Sequence, residues 1–190
     1  MIQKIIISIC FVGWLIVANA QSTISIIPQP VEVKVVAQHS VVINQQAVIH
    51  YFSKMEPQAK YLQEQIYGQA GMQLSLKKIS DVKNLPKSGI LIWEDLSAVK
   101  KSEMYLLNSS EGYIKISARD VRGFINAFQT LLQLIPIKQQ SSISIPAVSI
   151  TDYPQFRYRG MHLDVVRHIF PMEYIKKYID YLTFHKFNTF

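Results

Sequence analysis

The chain has 190 residues, 49% apolar and 17% charged, with seven Gly, eight Pro and one Cys, which excludes disordered, collagen-like and disulfide-framed classes and leaves room for one or two domains. Its formal net charge of +7 raises nucleic acid, anionic lipid and acidic polysaccharide as partners. The lysines, however, come as scattered doublets (Lys77-Lys78, Lys100-Lys101, Lys176-Lys177) near Asp81, Glu103 or Asp180, so they read as solvated faces and no nucleic-acid partner is expected.

Residues 1–20 have the grammar of a secretory signal peptide: Lys4 at the head, an apolar run over residues 5–18, and Ala18-Asn19-Ala20 as a small-x-small cleavage site. The run falls short of the ~18 residues a spanning helix needs, and Gln21-Ser22-Thr23 is no charged stop-transfer flank, so an exported protein without a stable membrane span is expected. An uncleaved anchor is the competing reading. Cleavage removes Cys10, the only cysteine, and with it thiolate metal sites, cysteine nucleophiles and disulfides.

Residues 26–52 alternate as strands: Val31, Val33 and Val35 against Glu32 and Lys34, then Val41 to Ile43 after the polar break Gln38-His39-Ser40, read as paired strands. Glu56-Pro57 opens a helix with Ala59, Leu62 and Ile66 on one side and Gly68 or Gly71 at its end. Leu74-Ser75-Leu76 alternates again, and residues 89–93 form a continuous apolar run that suits a strand covered on both faces or in an interior position. A hairpin is predicted from 105–108 and 113–117 around a turn-rich link, and Asp120 is placed to cap a helix reaching about Ile135, with Phe124, Phe128, Leu131 and Leu132 or Ile135 as its buried stripe. This order describes an α+β sandwich, one mostly antiparallel sheet with two helices on one face.

Residues 139–150, rich in Ser and Gln and carrying Pro146, read as a connector. Beyond them 158–166 looks like a buried strand, Pro171 opens a helix with the stripe Met172, Ile175, Ile179 and Leu182, and 187–190 starts another strand. Strand, helix, strand make one βα unit of a parallel sheet. Such a unit needs neighbours for its apolar faces, so the chain is expected to be a fragment.

No dinucleotide, phosphate-loop, nucleophile-elbow or H-E-x-x-H motif is present. If Glu94 and Asp95 both sit on a strand, they point to opposite faces and cannot converge on one bond. The segment from Arg159 to His168 is different: it places Arg159, His162, Asp164, Arg167 and His168 among apolar neighbours, and burying such groups is costly unless they are paired or meet a ligand. If 158–166 is a barrel strand, Asp164, Arg167 and His168 lie at its carboxyl end, where barrel enzymes bind substrate. A structural Asp164–Arg167 ion pair is the alternative. His162 and His168 have no third ligand at sensible spacing, so no metal is expected.

The pattern Phe156-Arg157-Tyr158-Arg159-Gly160-x-x-Leu163-Asp164-x-x-Arg167-His168-x-Phe170-Pro171, with Lys186-Phe187-Asn188 after it, resembles the opening of the catalytic barrel of glycoside hydrolase family 20, the β-N-acetylhexosaminidases. Ile27-Pro28-Gln29-Pro30, Glu103-x-Tyr105, Gly123-Phe124 and Asp152-Tyr153-Pro154 are similar to the small α+β domain before that barrel and to the junction between the two.

The resemblance implies three parts: a signal peptide at 1–20, an α+β domain at 21–150, and at 151–190 the first βα unit of a truncated (β/α)8 TIM barrel. It implies a retaining exo-glycosidase acting on glycans or chitin oligomers ending in β-linked N-acetylhexosamine, without a cofactor. In such enzymes the substrate's own acetamido oxygen attacks the anomeric carbon, while an Asp-Glu pair orients it and moves the proton. That pair is expected beyond residue 190. Arg167 matches the arginine that hydrogen-bonds the sugar's outer hydroxyls, and Asp164 and His168 match supporting positions. A non-catalytic exported module that binds glycan or protein is the alternative.

Overall fold

The computed structural model describes residues 24–80, 85–110, 112–139 and 141–190. The expected signal peptide lies outside the described residues. Strands β1 (Glu32–Asn44) and β2 (Val48–Phe52) come first, then a 3-10 turn at Ser53–Met55, helix α1 (Glu56–Ala70), β3 (Ser75–Ile79) and β4 (Gly89–Glu94). The strands β5 (Tyr105–Ser110) and β6 (Tyr113–Ala118), helix α2 (Val121–Leu134), strand β7 (Ser142–Asp152) and helix α3 (Met172–Phe184) follow.

All seven strands lie in one sheet, ordered β1-β7-β5-β6-β4-β2-β3. The sheet is mixed, which corrects the expectation of a mostly antiparallel one. Strands β1, β7, β5 and β6 pair antiparallel in turn, and β6, β4, β2 and β3 pair parallel. The cause is the crossover: α1 carries the chain from the end of β2 back to the start of β3, so the two strands must run the same way.

Both covering helices form where their start and stop residues dictate. Pro57 sits in the first turn of α1, and of the two glycines the sequence offers as a stop, Gly71 ends it, left-handed at φ 68°, with its N–H on the Tyr67 carbonyl. At α2 the Asp120 carboxylate accepts the Gly123 N–H at 2.8 Å. Gly123 is required by close packing, because a Cβ there would lie 3.0 Å from that of Ala118 and closer still to the Met104 carbonyl. Leu62 and Ile66 of α1 and Phe124, Phe128 and Leu131 of α2 share one core with Ile49, Ile90, Ile92, Ile114 and Ile116 of the sheet. Burying each such side chain contributes about 1.5–3 kcal/mol before chain entropy is subtracted.

Two expectations are overturned by β7. The 139–150 segment is largely a strand rather than a connector, and it stands between β1 and β5. The two valine-rich runs are not paired with each other. Both belong to β1, and both pair with β7 across a register shift between Val35 and Ser40. Pro146 has no N–H to donate, and inward-facing residues change parity around it, from Ile143 and Ile145 to Val148 and Ile150. The buried Ser109 side chain repairs the ladder there: its hydroxyl donates to the Pro146 carbonyl at 2.6 Å and accepts the Val148 N–H at 2.9 Å.

Beyond Asp152 the chain leaves the sheet. The expected buried strand at 158–166 is a mostly exposed segment, held by a single parallel bridge between Gly160 and Thr189. Backbone N–H groups of Met161, Asn188 and Thr189 make the hydrogen bonds around that bridge. A strand needs partners along its length, and this pair of segments offers each other one position. In α3 only Leu182 is buried, and Met172 and Ile179 of the predicted stripe face water.

Candidate functional site

The segment 153–190 is fastened to the sheet by a buried polar cluster built from five stretches of chain. Asp152, at the end of β7, receives the Lys186 ammonium at 2.8 Å and the Tyr105 hydroxyl at 2.9 Å on one oxygen, and the Val31 N–H at 3.2 Å on the other. A carboxylate can only accept, so the Tyr105 proton points to Asp152. The Tyr105 oxygen then accepts from Lys186 at 2.9 Å and from the Thr130 hydroxyl at 2.6 Å. Burial pulls the Lys186 ammonium below its ordinary pKa, with Asp152 opposing that pull. Burial, and then the negative Asp152, push the Tyr105 phenol upward.

Arg159 forms the second clasp. Its guanidinium pairs with the buried Glu103 carboxylate and donates to the carbonyls of Lys186 and Phe156, each at 2.8 Å. Asn188 joins it, accepting the Arg159 N–H at 3.0 Å and donating to Glu103 at 3.3 Å and to the Arg157 carbonyl at 2.9 Å. Glu103 itself has φ 61°, and its N–H donates to Asp120, the residue that caps α2. A cleft of about 260 Å³ opens over these groups, lined by Glu103, Asp152, Phe156, Arg159 and Lys186 among others.

The three residues singled out from sequence lie outside this cleft. Asp164 accepts the N–H groups of Arg167 and Val166 at 3.1 and 3.0 Å, and those bonds, Arg167's first, hold its carboxyl below the ordinary carboxylate pKa. Its other oxygen is 3.4 Å from the Arg167 guanidinium, whose side chain is 91% exposed. An exposed ion pair contributes about 0–1 kcal/mol, so it does not commit the arginine, and most of its five donors remain open to a ligand. The two alternatives drawn from the spacing are therefore compatible. The His168 ring meets Phe170 edge-on at 4.9 Å, and Phe170 stacks on Tyr174 in the first turn of α3 at 4.7 Å. Asp164, Arg167 and His168 thus lie on one exposed stretch between the Arg159 clasp and helix α3.

Sequence reasoning marked Tyr105, Asp152, Lys186 and Asn188 only as motif letters, Glu103 also as an acid near a lysine doublet and Arg159 also as a charge that burial would oblige to pair, and missed that they meet. The available signal was chemical. Acids and bases set among apolar neighbours on separate stretches had to find one another once those stretches were buried.

The architecture is that of a small mixed α/β sheet domain clasping the first helix of a following segment. The description "Glycosyl hydrolase family 20, domain 2" matches residues 23–153, and "Glycosyl hydrolase family 20, catalytic domain" matches residues 156–190. The chain belongs to glycosyl hydrolase family 20. It is 31% identical over 173 residues to a beta-hexosaminidase of Porphyromonas gingivalis, covering 88% of this chain and 22% of that protein. A beta-hexosaminidase of Vibrio furnissii is 42% identical over 86 residues, 45% of this chain and 14% of the relative. Among solved structures, the exo beta-N-acetylglucosaminidase of Vibrio harveyi in complex with N-acetylglucosamine superposes with a TM-score of 0.75 at 31% identity, over 87% of this chain and 24% of that one. The matches span 14% to 24% of the length of these larger relatives.

Proposed function

We propose that this chain is the N-terminal part of an exported, retaining β-N-acetylhexosaminidase, and that residues 151–190 are the first βα unit of its (β/α)8 barrel. The observation that carries the reading is Arg167: an exposed guanidinium on a turn braced by Asp164, followed in the chain by the packed rings of His168, Phe170 and Tyr174, inside the span matched to the catalytic domain. The N-acetylglucosamine complex of the Vibrio harveyi relative supports a terminal N-acetylhexosamine as substrate. The signal-like residues 1–20 support export.

Arg167 hydrogen-bonds the outer hydroxyls of the terminal sugar. A guanidinium suits this role because it offers several fixed donors and does not titrate. Asp164 keeps the turn closed through two backbone N–H groups, and His168 packs on the aromatic side. Hydrolysis itself proceeds by attack of the substrate's acetamido oxygen on the anomeric carbon. An Asp-Glu pair beyond residue 190 orients the acetamide and protonates the leaving oxygen. The chain of 190 residues therefore binds sugar weakly and does not turn over a fluorogenic N-acetylglucosaminide.

In the complete enzyme, Arg167→Ala lowers kcat/KM on that substrate by about 10- to 150-fold, the equivalent of about 1.5–3 kcal/mol for one charged hydrogen bond. An unchanged kcat/KM removes Arg167 from the site, and turnover by the 190-residue chain overturns the placement of the catalytic pair.

A further inference from the structure

We propose that the groove at the carboxyl ends of β2, β3 and β4 binds a sugar ring of a neutral oligosaccharide, on the face of the sheet that the helices leave open. The topology makes the groove. From β2 the chain leaves through α1 to β3 on one side, and from β4 it leaves toward β5 on the other. The crevice between β2 and β4 is therefore the point where connections part, the place where open sheets with parallel strands bind ligands.

Alternation decides which face is available. Ile49, Tyr51, Ile90 and Ile92 point into the core under the helices, so Phe52 and Trp93 point the other way. Ile79 is opposite Phe52 in the β2–β3 register. Trp93, Phe52 and Ile79 thus stand in a row across three neighbouring strands. Phe52 and Trp93 meet edge-to-face at 5.2 Å and 80°, and Lys115 flanks Trp93 with its ammonium 5.2 Å from the ring centre. The segment 153–190 packs on the helix side, where the Gln133 side chain donates to the Phe184 carbonyl, and among the described residues it lines no part of this groove.

The groove encloses about 490 Å³, with Met55 as a further apolar wall and the Lys54–Glu94 pair, 3.3 Å apart, at its rim. A wholly apolar occupant would strip water from that pair without replacing its hydrogen bonds. An anion would meet Glu94, and a cation would meet Lys54. A pyranose satisfies every element at once: its C–H face lies on the aromatic floor and its hydroxyls donate to Glu94 and accept from Lys54. This occupancy does not require that Arg167 bind sugar.

The test uses the 190-residue chain carrying Arg167→Ala, so that the groove alone is read. It is titrated with an N-acetylglucosamine tetramer and with cellotetraose, following tryptophan fluorescence and saturation-transfer NMR. Saturable binding is expected, weakened about tenfold or more by Trp93→Ala and about tenfold by Glu94→Ala. Thermal melts followed by circular dichroism check that each variant folds. If Trp93→Ala does not, Glu94→Ala and Lys54→Ala, both at the rim, decide the outcome. Absence of saturable binding by either tetramer overturns the proposal, as does binding indifferent to the folded groove variants. Binding of cellotetraose alone supports the groove and shows that it does not read the acetamido group, while the substrate of the enzyme is tested separately through Arg167.

Discussion

In the sheet domain Ile49, Ile90, Leu62 and Phe128 are wholly shielded from water, whereas among residues 153–190 only Leu182 and Lys186 are buried. The first region is held by apolar burial, which is strong but indifferent to direction. The second is held by directional groups: Lys186 on Asp152, Arg159 on Glu103 and Asn188 between them. Polar docking of this kind adds little net stability over an apolar contact, yet it fixes orientation, since each buried charge tolerates one geometry. Arg167, by contrast, is held only by its own turn, through the two N–H bonds to Asp164.

The largest effect is expected in the apolar region. Phe128→Ala should destabilise the chain by about 3–5 kcal/mol through lost burial and the cavity left behind, read as a drop in urea midpoint at unchanged m-value. Tyr174→Ala, in the exposed part of α3, should stay within about 0.5 kcal/mol. Equal losses from the two would erase the distinction between the regions. Lys186→Ala should come next, at about 3 kcal/mol, because it strands Asp152 in the interior without its counter-charge. Its signature is local. Hydrogen exchange should speed up across 153–190 while the amides of β4 and β6 keep their protection, whereas uniform acceleration would mean that the two regions unfold as one.

How much of this was legible depended on whether the signal was local. The α2 stripe of Phe124, Phe128, Leu131 and Leu132 and the Asp120 cap could be read because periodicity and capping act within a few residues. The run at 89–93 likewise announced a strand, and it is buried over its first four residues, Gly89 to Ile92, before opening at Trp93. Strand β7 was hidden because its parity changes at Pro146 and a serine 37 residues earlier, Ser109, mends the break. The polar cluster was hidden for the same reason. Arg159 and Glu103 are 56 residues apart, and Lys186 and Asp152 are 34 apart, so each pair exists only once the fold has joined them. Asp164, Arg167 and His168 could be named from their motif, but their exposure could not, because the same letters suit a buried strand equally well.

The smallest effect tests the seam between the two regions. Asp120 caps α2 and also holds Ser102 at 2.7 Å and the Glu103 N–H at 3.2 Å, so it supports the acid that receives Arg159. Burial alone would raise its pKa, but the N–H of Gly123, the Ser102 hydroxyl and the Glu103 N–H outweigh that and lower it. A carboxyl whose folded pKa is depressed contributes stability above its unfolded value, near 4, and loses that contribution as pH falls through the folded value. Asp120→Asn retains an acceptor for Gly123 but cannot titrate. At neutral pH it should cost about 1 kcal/mol, mainly through the bond to Glu103. That deficit should shrink as pH falls from about 4 toward 2, because protonation removes the advantage from the wild-type residue. Other carboxylates titrate in both proteins, so the quantity to measure is the difference between their urea midpoints at each pH. A difference that stays constant across that range would show that Asp120 acts as a neutral cap, with its charge playing no part in joining the two regions.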